Sequence, residues 1–72
     1  MNKIRVRMII GGDYTDYTVD TKVKSESGFK SFIKMEKEKW RIKPIQYRFD
    51  LIVDGRITKT KMTIPVLDKR FL

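Results

Sequence analysis

Ile4, Val6, Met8 and Ile10 alternate with Lys3, Arg5, Arg7 and Ile9 across residues 3–10. A period of two with one apolar side predicts a half-buried strand. Gly11-Gly12 supplies a turn that tolerates positive φ. Residues 14–23 alternate again, with Tyr17, Val19, Thr21 and Val23 on one face. A two-residue turn at Gly11-Gly12 sets Ile4 opposite Val19, Val6 opposite Tyr17 and Met8 opposite Thr15. On the other face Lys3 meets Asp20 and Arg7 meets Asp16. Mostly apolar pairs on one face and opposite charges on the other support that register.

The period then changes. Phe29, Phe32, Ile33 and Trp40 fall within about 80° of one another at roughly 100° per residue, which predicts a helix. Ser25 or Ser27 can cap its start, and Glu26 suits its positive end. Pro44 disfavours helical geometry at Lys43, so the helix is expected over residues 26–42. Glu36 interrupts the apolar arc and is expected at an exposed end or beside a basic group.

Ile45, Tyr47, Phe49, Leu51 and Val53 alternate over residues 45–53. Asp54-Gly55 is a strong hairpin signal. A regular ladder would pair Val53 with Arg56, Ile52 with Ile57, Asp50 with Lys59, Phe49 with Thr60, Tyr47 with Met62 and Ile45 with Ile64. It also sets Arg48 against Lys61, a like-charge pair. Pro65 ends or edges this strand, expected over residues 56–64. The tail, residues 65–72, carries Phe71 and Leu72, which could dock on the core or on a partner.

Hairpin, helix, hairpin gives ββαββ, an α+β fold. One four-stranded antiparallel sheet with one helix on its apolar face buries what needs burial. The expected core is Ile4, Val6, Met8, Tyr17, Val19, Phe29, Phe32, Ile33, Trp40, Ile45, Tyr47, Phe49, Leu51, Met62 and Ile64. A chain of 72 residues is expected to be a single domain with one thin core.

Composition removes several classes of chemistry. There is no Cys and no His, which leaves no disulfide, thiolate nucleophile, imidazole base or Cys/His metal site. Gly11-Gly12 lies in a hairpin and not before a helix, so it is no phosphate loop. Asp13, Asp16 and Asp20 lack the spacing of a calcium loop. No catalytic activity, metal or cofactor is expected. The longest apolar run, Met8-Ile9-Ile10, is too short to span a membrane, and no signal peptide is visible. A reducing cytoplasm fits best, that of an infected host included.

The charge is the strongest remaining signal. Seventeen Lys and Arg against nine Asp and Glu give +8. Residues 21–43 hold eight basic and three acidic groups, the largest local excess. Lys30, Lys34, Lys37 and Arg41 form one helical stripe that could track phosphates, or serve as a solvated face partly offset by Glu26 and Glu38. On the outer sheet face Arg5, Arg48 and Lys61 stay unpaired in the regular register and form a second candidate surface. The aromatics Tyr17, Tyr47 and Phe49 point inward, which argues against base stacking on the open sheet. A mostly lysine stripe favours phosphate contacts over base reading. The outer face also carries Ile9, Tyr14, Ile52 and Ile57, either scattered surface residues or a patch for a partner.

In length, lysine and isoleucine usage and missing motifs, the chain resembles the small accessory proteins of phages and prophages of low-GC Gram-positive bacteria. That resemblance assigns no residue; it implies binding to a host protein or to DNA. The residues support two expectations. One is a nucleic-acid-binding protein that contacts phosphates with little sequence specificity. The other is a protein-interaction module or homodimer, a modulator of a host protein.

Overall fold

The computed structural model describes residues 1–63 and 69–71. Strands β1 (Asn2–Ile10) and β2 (Asp13–Thr21) precede helix α1 (Glu26–Lys39). Strands β3 (Gln46–Val53) and β4 (Arg56–Met62) follow, and a short 3-10 turn covers Lys69–Phe71. All four strands form one antiparallel sheet in the order β2-β1-β3-β4. The ββαββ architecture is the one the alternation implies.

The first hairpin keeps the expected register throughout, from Lys3 opposite Asp20 to Ile10 opposite Asp13. Gly11 takes φ 62°, the left-handed geometry such a turn needs. The two strands richest in apolar residues, β1 and β3, lie at the centre. Val6 faces Phe49 and Ile4 faces Leu51 across them. Phe29 and Ile33 of α1 close over Ile4, Val6, Met8, Phe49 and Leu51.

Helix α1 starts where Ser25 Oγ accepts from the Gly28 N–H at 3.1 Å. It ends at Lys39, three residues short of the expected 42. Trp40 leaves helical geometry with ψ 124°, and its indole stacks on Phe49 at 5.7 Å. Its Nε1–H donates to Tyr17 Oη at 3.3 Å, and the Tyr17 hydroxyl donates to Glu36 at 2.8 Å. Glu36 therefore satisfies a buried edge of the apolar arc, with Lys39 at 3.6 Å on its other oxygen.

The second hairpin departs from the regular ladder. Asp54 (φ 54°) and Gly55 (φ 76°) make the tight turn, and Ile52 pairs with Ile57. Leu51 then pairs with Lys59, so Thr58 is an extra residue in β4. This β-bulge moves every later partner by one. Asp50 faces Thr60, Phe49 faces Lys61 and Arg48 faces Met62, not the expected Lys59, Thr60 and Lys61.

Several expectations about the core change accordingly. Met62 sits beside Arg48 on the outer face and is half-buried. Ile45 precedes β3 and is 65% exposed. Ile64, Pro65 and Leu72 lie outside the described residues. Strand β2 stops at Thr21 and not at 23, because Val23 turns in to accept from Asn2 Nδ2 and to donate to the Thr21 hydroxyl.

The outer face has its own small core. Phe71 is fully buried, with its ring 6.5 Å from that of Tyr14 and its carbonyl accepting from Arg48 at 2.6 Å. Ile9 and Arg7 are buried on the same face. Asp50, also fully buried, accepts from Arg7 at 2.6 Å, Arg48 at 2.9 Å and Thr60 at 2.7 Å.

Candidate functional site

A groove of about 1110 Å³ opens between α1 and the inner side of β3 and β4. Two features of the fold make it. Tyr17, Glu36 and Trp40 tie the C-terminal half of α1 to β2, at the opposite edge of the sheet from β4. The bulge at Thr58 brings Lys59 and Lys61 opposite Leu51 and Phe49, on the helix side.

One wall carries Lys30, Lys34 and Lys37, and the other carries Lys59 and Lys61. Lys43 stands at the end, after the helix. Among the described residues, six lysines line the groove, with Glu26 and Glu38 as its acidic lining. Lys30 pairs with Glu26 at 3.4 Å in an exposed i,i+4 bridge of small energetic weight. Lys37 donates to Tyr47 Oη at 3.0 Å and lies 4.8 Å from its ring centre. Among the described residues, Lys34, Lys43, Lys59 and Lys61 form no ion pair. Like charges collected around a concave surface raise the local potential and attract a polyanion.

The lining between the walls is apolar and aromatic, with Phe29, Ile33, Trp40 and Tyr47. Tyr47 and Trp40 were expected in the core, with Tyr47 pointing inward. Tyr47 and Trp40 are half-buried and border the groove.

The sequence-derived candidates divide sharply. Lys30, Lys34, Lys37 and Lys61 come together, although Lys61 was expected on the opposite face. Arg41 lies beyond the end of α1, exposed and off the groove, because Trp40 breaks the helical stripe. Arg5 and Arg48 are not the unpaired cations expected on the outer face. Arg5 pairs with Asp16 at 3.1 Å, and this raises its pKa. Arg48 is held by Asp50 and by the Phe71 carbonyl. Arg7, expected on Asp16, pairs instead with Asp50.

Burial pushes the Asp50 pKa up. Hydrogen bonds from Thr60, Arg7 and Arg48, with the Arg48 charge, outweigh it and hold the carboxyl below its ordinary value. This constellation ties the outer face together.

The apolar patch expected on that face is also reduced. Ile9 is buried and Tyr14 is half-covered beside Phe71, while Ile52 is half-buried and Ile57 is exposed. Lys43 and Lys59 were not singled out as binding residues from sequence. The signal available for Lys59 was the unfavourable Arg48–Lys61 pair, which a bulge removes.

Among the described residues, no three of His, Cys, Asp and Glu stand close enough to hold a metal ion. No described helix is long and apolar enough to cross a membrane. No protein-family model, curated protein or solved structure matches this chain, and the groove is read from its own geometry.

Proposed function

We propose that the protein binds nucleic acid through the groove between α1 and β4, by phosphate contacts with little sequence specificity. The observation that carries this reading is the meeting of six lysines from the helix, the loop after it and β4 around one concavity. Lysine is a flexible point charge that neutralises phosphate without the planar fork used to read guanine. Among the described residues lining the groove there is no arginine, asparagine or glutamine, side chains suited to base edges.

A labelled oligonucleotide followed by fluorescence anisotropy at about 50 and 200 mM salt tests this reading. Binding is expected at low salt, falling steeply as salt rises. Reversing Lys30 and Lys34 to Glu should weaken it at least tenfold. Reversing Lys3, which pairs with Asp20 on the outer face, should change it little. Absence of binding at low salt, or equal loss from the Lys3 variant, overturns the proposal.

A protein-interaction role draws on fewer residues. Its surviving patch is the cross-strand pair Ile52 and Ile57, with Ile57 55% exposed.

A further inference from the structure

We infer that the groove takes a single strand, with a base against Trp40, and not a duplex; this rests on the phosphate-binding reading above. Trp40 is fixed in place. Its ring stacks on Phe49 at 22° between planes, and its N–H is committed to Tyr17. Its indole N–H, the one polar group of the side chain, is thus already bonded. What it leaves in the groove is aromatic surface, next to the Tyr47 ring at 5.9 Å.

Lysines on both walls with an aromatic floor between them match a strand whose phosphates and bases are both accessible. Single-strand binders combine a basic groove along the backbone with aromatic platforms for bases. A double helix presents phosphates on a convex surface and keeps its bases stacked inside. It would have to unpair before a base could reach the floor. Stacking on an aromatic ring tolerates every base, in keeping with binding of little sequence specificity.

Trp40 is the only tryptophan, so its emission reports on the floor alone. The intact protein would be titrated with oligo-dT, oligo-U, a duplex of matched length and inorganic polyphosphate. Tryptophan emission and anisotropy would be read together at about 50 mM salt. Saturable quenching by oligo-dT or oligo-U, with at least tenfold tighter binding than duplex, is the expected result. Quenching by either strand supports the inference. Polyphosphate should compete without matching that quenching.

Duplex binding as tight as single-strand binding, without quenching, overturns this inference and leaves the phosphate reading standing. Equal quenching by polyphosphate also overturns it, since no base is then needed. Failure of every nucleic acid to bind at low salt overturns both.

Discussion

Lys59 stands opposite Leu51 in the β3–β4 ladder, and through that pairing its ammonium borders the same groove as the lysines of α1. One extra residue, Thr58, separates this arrangement from one in which Lys59 would face Asp50 on the far side of the sheet. The basic groove is thus a product of β-strand register as much as of composition.

Thr58 is the residue without a partner in the ladder, so its deletion leaves Leu51 opposite Lys59 and Phe49 opposite Lys61. The variant should fold and bind oligonucleotide within about threefold of the parent, because the lysines of the proposed phosphate contacts keep their places. Anisotropy and a urea melt of the variant check this. Loss of binding in a folded variant would mean that the bulge does more than place the lysines.

Asp50 holds Arg7 and Arg48 in a dry site, with Arg7 only 4% exposed. Asp50→Ala should therefore cost roughly 3–5 kcal/mol, since it strands a buried guanidinium. A domain of this size has little more stability than that to lose. Urea denaturation should find the variant largely unfolded at neutral pH. A shift below about 1 kcal/mol would contradict the buried-pair geometry.

The same carboxylate sets an acid limit. Its pKa is lower folded than unfolded, so its contribution is present above the unfolded value, about 3.9, and is lost as pH falls through the folded one. Urea midpoints should stay level from neutral pH to about 5 and drop below about 4. A midpoint that rises on acidification would contradict the ion-pair account.

Tyr17 is expected to mark the alkaline side. Burial, with the carboxylate of Glu36 beside it, pushes its hydroxyl up to about 12, partly opposed by the Trp40 hydrogen bond. Its contribution is complete below the unfolded value near 10 and is lost as pH rises through about 12. Phenolate absorbance should show one of the three tyrosines ionising late. Ionisation of Tyr17 near 10 in the folded protein would show that the Trp40–Tyr17–Glu36 chain is not formed.

Phe71 closes the outer face. Phe71→Ala should cost about 3 kcal/mol or more, from lost burial and the cavity left between Tyr14 and Arg48. Differential scanning calorimetry would register this as a lowered Tm. An unchanged Tm would mean that the tail adds nothing to stability.

The parts legible in the sequence are those governed by unbroken local patterns. Residues 3–10 and 14–21 alternate on either side of the Gly11-Gly12 turn, so polarity and the two-residue turn set Val6 against Tyr17 and Lys3 against Asp20. The central pairing of Val6 with Phe49 depends on how the helix crosses the sheet, which no local pattern encodes. Pro44 limits how far α1 can run, yet Trp40 ends it earlier through contacts with Phe49 and Tyr17, far apart in the chain. The bulge cannot be read from Thr58 itself. Its trace is the Arg48–Lys61 repulsion of the regular ladder, relieved when Arg48 takes Asp50 and Lys61 crosses to the groove.

Lysines from α1 and β4 are proposed to grip one polyanion, and the salt dependence of binding tests this wall by wall. Anisotropy titrations of an oligo-dT strand over about 50–200 mM salt would compare the parent with Lys30→Ala/Lys34→Ala and with Lys59→Ala/Lys61→Ala. Both pairs should lower affinity and flatten the log–log slope, by about 0.7 for each lysine removed. A β4 pair that leaves affinity and slope at parental values would contradict the two-walled groove.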